Sequence, residues 1–258
     1  MIQFGHSCSP HKAVTDEIEL IAGMGFDFAE ITMDGEGNLK ALWKQRANIK
    51  NALKRHNIFA TAHAPLAVDV GNFLEPVQRL WVDQSIKIIQ IADKIGIKKI
   101  NFHANYSSLI IPSRELKELI LRNHVKSLKT LTAVASKYNI QLLLENTHET
   151  LKDFHYITSG VKKLYVNIDV GHAFIGGGNA MIKKYIRTIS NISHVHVHDN
   201  NGKRDEHLAV GHGRINFTVI GAELKKIGFD GTVTLEVFEK NRALAKTSLA
   251  KIKRLWLL

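Results

Sequence analysis

Histidines and carboxylates recur at the carboxyl end of one apolar, strand-like run after another: His63, His103, Glu145, Asp169 with His172, His196, Asp205 with His207, and Glu236. His63, His103, Glu145, Asp169, His196 and Glu236 follow one another at intervals of 24 to 42 residues. That is the length of a strand, a helix and two loops, so a parallel β/α barrel can gather all of them at one end. Gathered there they form a cage for metal ions. Nitrogen and oxygen donors without thiolate suit zinc, manganese, iron or magnesium.

The rest of the chain has the matching rhythm. Strand-like segments are expected at residues 2–5, 26–31, 59–63, 99–103, 141–145, 164–169, 194–198 and 232–237. Most are read as continuous apolar runs, the pattern of strands covered on both faces, which favours a parallel sheet. Amphipathic helical spacing lies between them, clearest over residues 77–95 and 115–137. Gly25, Gly96 and Gly228 stand where a helix ends before the next strand, a place that wants a positive φ. Eight strand and helix pairs fill the 258 residues with no linker left over, and a (β/α)8 barrel commonly takes about 250 residues as one unit. The expected architecture is therefore one α/β TIM-barrel domain over residues 1–258, its active site at the carboxyl ends of the strands. An open doubly wound sheet would not bring so many strand ends around one centre.

Composition narrows the setting. Hydrophobic residues at 45% supply a substantial core, and the single Cys8 excludes an internal disulfide framework. Residues 1–12 carry no charged-then-apolar leader and no apolar run is long enough to cross a bilayer, so a cytoplasmic protein with no membrane partner is expected. A formal charge of +11 either favours encounter with polyanions and phosphorylated substrates or reflects a lysine-rich solvated surface.

The segment SHVHVHDNNGKRDEHLAVGHGRIN, residues 193–216, is the densest in chemistry. Side chains alternate along a strand, so His194, His196 and His198 share a face but cannot all reach one ion. One of them is expected to be a ligand and the others structural. Asp205 and His207, two residues apart, can chelate one ion from an extended loop, and Gly211 and Gly213 let the backbone pass closely. His6, His148, His194 and His198 are read as hydrogen-bonded structural residues. Asn101 and Asn146, beside His103 and Glu145, are read as partners that orient ligands.

These motifs resemble a known group. The GHS at Gly5, the INFH ending at His103, the LLLEN around Glu145, the DVGHAF from Asp169, the HVHD from His196, the DEH ending at His207 and the LEV around Glu236 are similar to the xylose isomerase-like barrel superfamily. That group includes endonuclease IV, of AP endonuclease family 2, and many sugar or sugar-phosphate isomerases and epimerases. The endonuclease resemblance implies up to three divalent ions, zinc first, with manganese or magnesium as alternatives. One would sit on His63, His103 and Glu145, a second on Glu145, Asp169, His196 and Glu236, and a third on His172, Asp205 and His207. It implies a hydrolase that cuts phosphodiesters in DNA at abasic sites, with Glu145 and Glu236 catalytic, and this is the leading expectation. The isomerase branch implies one ion on Glu145, Asp169, His196 and Glu236, with Glu145 and Glu236 moving a proton through an ene-diol of a sugar or a small phosphorylated sugar, and Glu30 facing the substrate. A barrel that keeps its metal but serves only as a binding protein is a third reading. Several positions depart from the endonuclease pattern. Residues 29–38, AEITMDGEGN, hold acids and no arginine where an asparagine-glutamine-arginine stretch would enter DNA, Leu66 replaces a tyrosine, and His212 replaces a glutamate between two glycines.

Overall fold

The computed structural model describes residues 1–105 and 113–256. Eight strands close into a barrel in chain order: β1 (Gln3–Ser7), β2 (Phe28–Thr32), β3 (Phe59–His63), β4 (Lys99–His103), β5 (Gln141–Glu145), β6 (Tyr165–Asp169), β7 (Ile192–Val197) and β8 (Thr232–Leu235). Every pairing is parallel, and β8 returns to β1 with Gln3 opposite Thr232. The (β/α)8 expectation is met, with strand bounds shifted by a residue or two at β1, β2, β6, β7 and β8.

Helices pack around the outside: α1 (Val14–Gly23), α2 (Leu39–His56), α3 (Glu75–Ile95), α4 (Arg114–Lys137), α5 (Leu151–Ser159), α6 (Val170–Ile175), α7 (Gly178–Thr188), α8 (Phe217–Lys226) and α9 (Ala243–Trp256). Several of their starts follow side-chain caps. The side chains of Asn38, Ser113, Thr150 and Asn216 accept from the backbone N–H three residues on, satisfying donors that the first turn leaves open. Gly96 ends α3 at φ 95°, a left-handed conformation that costs glycine little. The expected pairing of one helix per strand fails after β6, where Gly176, Gly177 and Gly178 break the crossover into α6 and α7. No helix among the described residues is long and apolar enough to cross a membrane.

The expected continuous apolar strands need correction on one face. Outward positions such as Ile100, Phe102, Leu142, Leu144, Val166, Ile168, Val195 and Val197 are apolar and at most 1% exposed. Inward positions are mostly polar. Thr61, Asn101, Asn167, His194 and Thr234 are as deeply buried, and each faces the carboxylate of Glu30 or Glu145 instead of packing as hydrocarbon. The barrel is therefore an apolar shell around a polar interior that opens at the carboxyl ends of the strands.

Candidate metal centre

Glu145, the last residue of β5, is the hub. Its Oε2 accepts from Asn101 Nδ2 of β4 and from Asn167 Nδ2 of β6 at 3.1 Å. The same oxygen lies 3.4 Å from His103 Nε2, 3.6 Å from His63 Nε2 and 3.3 Å from His196 Nδ1, while Oε1 lies 3.3 Å from His172 Nδ1. His63 and His103 meet nitrogen to nitrogen at 3.1 Å. His196 Nδ1 also faces Glu236 Oε1 at 3.5 Å and Asp169 Oδ2 at 3.9 Å. Carboxylates from three regions of the chain thus surround one imidazole nitrogen, and a single proton there can satisfy only one of them.

A second group lies toward the β6 and β7 side. Asp169 caps α6 by accepting from His172 N at 2.7 Å, and Asn146 holds its backbone on both sides, at 2.9 and 3.0 Å. Asp205 Oδ2 lies 3.2 Å from His172 Nε2 and 3.0 Å from His207 Nε2. His207 holds φ 48°, a left-handed conformation costly for a residue with a Cβ, which aims its ring into the group. His198, read from sequence as structural, belongs here: its Nε2 is 3.2 Å from Asp169 Oδ1 and 3.4 Å from Asp205 Oδ1. Its ring stacks on His207 at 4.1 Å, and His207 stacks on half-exposed Phe238 at 4.5 Å. Gly171 makes the space, because a Cβ there would overlap the His198 imidazole.

The donor set fits divalent ions. His63, His103 and Glu145 form one compact group, Glu145, Asp169 and His196 another, and His198 joins both Asp169 with His172 and Asp205 with His207. Asp169 Oδ2, His196 Nδ1 and His198 Nε2 are buried without a hydrogen-bond partner among the described residues, as expected of atoms made to face a cation. Electrostatics agree. Burial alone would lower the pKa of His63, yet Glu145 raises it to about 9. Burial likewise opposes charge on His172 and His196, but Asp169 beside the first and Glu236 and Glu145 beside the second carry both well above the usual histidine range. Burial would raise Glu145, and the neighbouring His196 and His103 hold it well below the usual carboxylate range instead. The carboxylates demand positive charge. Protons on imidazole provide it at the expense of the nitrogen lone pairs, whereas a divalent ion provides it and uses them.

The other expected residues fall on either side of this centre. Glu30 does not face a substrate: it is 0% exposed, deep in the barrel behind His196, so its substrate-facing role is corrected. His194 stands beside it, and His6 packs edge-on against Phe26 with Nδ1 against Ser7 O. His212 faces Glu239 Oε1 at 3.2 Å, and that oxygen also accepts from Ala209 N, so the position ties the loop after β7 to the segment after β8. Sequence reasoning missed His198, although the period-two spacing of His194, His196 and His198 already put it on the inner face.

Beside the centre opens a cavity of about 680 Å³ lined by Thr147, His148, Leu151, His172, Lys203 and Asp205, among others. That size suits a small molecule. Glu149 lines it too, its carboxyl raised to about 7 by burial against the opposing pull of hydrogen bonds from Thr147.

Residues 18–255 match the family model described as xylose isomerase-like TIM barrel. A crystal structure of a D-tagatose 3-epimerase-like protein superposes with a TM-score of 0.84 at 30% identity, covering 98% of this chain and 96% of that one. The 3-keto-D-glucoside 4-epimerase of E. coli superposes at 0.80 with 21% identity, covering 98% and 100%. IolI, solved with a bound zinc atom, superposes at 0.79 with 19% identity, covering 98% and 96%. Structural relatives bearing the names of sugar epimerases overturn the expectation of a DNA hydrolase. The physical reasons were in the chain: an acidic segment after β2, Leu66 exposed at the mouth in place of a tyrosine, and a cavity scaled to a metabolite. A DNA partner has no support.

Proposed function

The chain belongs to the xylose isomerase-like TIM barrel family, and from that premise we propose that it is a metal-dependent isomerase or epimerase of a small sugar or sugar phosphate. The observation that carries this reading is Glu145 and Glu236 converging on the same His196 nitrogen beside a metabolite-sized cavity.

The donor groups are suited to between one and three ions, with zinc, manganese or magnesium compatible with their nitrogen and oxygen chemistry. A bound ion supplies Lewis acidity, drawing electron density from a carbonyl and its neighbouring hydroxyl. Glu145 ends β5 and Glu236 follows β8, three strands farther around the barrel, so the two carboxylates approach a molecule at the mouth from different sides. One carboxylate takes the proton from the carbon next to the carbonyl as the C–H bond breaks and an ene-diol forms. The other, as the carboxylic acid, returns a proton to the opposite face, and the carbon is inverted with no net change in protons. Asn101 and Asn167 keep Glu145 oriented by donating to its Oε2. Lys203 and Arg204, on the cavity wall, favour an anionic group on the substrate, in keeping with the basic chain.

The test is proton exchange in deuterium oxide, followed by NMR, with a panel of ketopentoses, ketohexoses and their phosphates and protein loaded with manganese or zinc. Deuterium is expected at one carbon beside the carbonyl, together with the epimer or isomer. Glu145→Gln and Glu236→Gln are each expected to slow exchange by about 100- to 10,000-fold. No exchange in any panel sugar by metal-loaded protein would overturn the proposal.

A further inference from the structure

Below the metal-ligand layer lies a column of buried polar groups, where parallel barrels usually stack branched aliphatic side chains. Glu30 of β2 is its centre, at 0% exposure. Its Oε2 accepts from Thr61 Oγ1 of β3 at 3.0 Å and from Thr234 Oγ1 of β8 at 3.2 Å, and lies 3.2 Å from His194 Nε2 of β7. His194 is anchored in turn, its Nδ1 meeting Thr232 Oγ1 at 2.5 Å, and that hydroxyl takes Lys99 Nζ at 2.9 Å. The other oxygen, Glu30 Oε1, lies 3.0 Å from His196 Nε2. Neither atom has a hydrogen-bond partner elsewhere, and the two meet at ion-pair distance short of ideal alignment.

We infer that Glu30 is the positioning residue of His196, fixing which ring nitrogen faces the metal. The inference builds on the metal-centre reading above. A neutral imidazole carries one N–H, and the nitrogen that binds a cation must be the one without it. On His196 the nitrogen facing Glu145, Glu236 and Asp169 is Nδ1, so the proton belongs on Nε2, and Glu30 is the acceptor waiting there. Two threonine hydroxyls and His194 occupy Oε2 and pin the carboxylate to β3, β7 and β8, leaving Oε1 for His196. A carboxylate behind a ligating histidine holds the ring at one angle and makes it a better donor. With no exposed surface, Glu30 cannot touch a substrate. Its effect has to pass through His196.

Metal-free protein titrated with Co²⁺ and followed by visible absorption, with no sugar present, tests this. Glu30→Gln is expected to weaken Co²⁺ binding about 10- to 100-fold and to change the absorption of the bound ion. Glu30→Asp, which keeps the charge on a shorter arm, recovers part of the affinity. A Thr61→Val, Thr234→Val double variant frees the carboxylate without removing it and weakens binding by a smaller factor. It also carries the test if Glu30→Gln does not fold. Co²⁺ affinity and spectrum unchanged in Glu30→Gln, or in the double variant where that must serve, overturn the inference. Glu145→Gln separates the two readings. If it loses Co²⁺ while Glu30→Gln keeps it, the role of Glu30 alone is wrong, and if Glu145→Gln binds as the parent does, the metal centre itself has failed.

Discussion

The two faces of the same eight strands obey different rules. On the outer wall, Val195 and Val197 of β7 or Leu142 and Leu144 of β5 lie against helices, and any apolar residue of the right volume would serve. On the inner wall, His194, His196 and His198 or Glu145 each meet named atoms at set distances, so a change of one atom type matters. One residue separates the two regimes along the chain. Hydrophobic burial holds the shell together, and it leaves the interior free to be specified by chemistry.

Substitutions on the two walls should therefore fail in different ways. Ile168→Ala, on the outer wall at 0% exposure, is expected to cost about 2–5 kcal/mol in urea denaturation, with Co²⁺ affinity unchanged at temperatures where the variant is folded. Lost metal binding without lost stability would erase the distinction. His6 sharpens it, as a titratable group that β1 turns toward the outer wall. Burial pushes its pKa down to about 4 from 6.5, so between those values the unfolded chain takes up a proton that the folded chain refuses. Its contribution to stability is whole above pH 6.5 and is lost as pH falls toward 4, by up to about 3 kcal/mol. His6→Gln should flatten that part of the pH dependence of the urea midpoint, and an unchanged slope would show that the outer wall tolerates the charge. The smallest effect belongs to the rim. Phe238→Ala removes the ring stacked on His207 and should cost about 1 kcal/mol of stability. A loss much above that would mean the inner-wall stack depends on its exposed end.

The strand ends were legible because chemistry and periodicity coincided there: His63, His103, Glu145 and Asp169 each close a strand where the sequence pattern ends one. Alternation also carried the facing of His198, yet it does not report height along the barrel axis, and height decides that His194 meets Glu30, His196 meets Glu145 and His198 meets Asp169. Glu30 was misread for the same reason, since a carboxylate two residues short of a strand end reads like one at the mouth. The pairing of His212 with Glu239 joins residues 27 apart through two loops, and no local pattern announces it. The reaction class was the hardest to read, because Glu145 and Glu236 are compatible with both hydrolysis and isomerisation and the features against a DNA hydrolase were what the loops lacked.

Gly171 shows how far such specification reaches. Alanine, elsewhere the mildest of replacements, would at this position evict an imidazole and unmake part of the centre, although residue 171 itself donates nothing to it. Anyone transplanting this cluster of side chains onto another barrel would have to copy a missing methyl group as faithfully as the histidines.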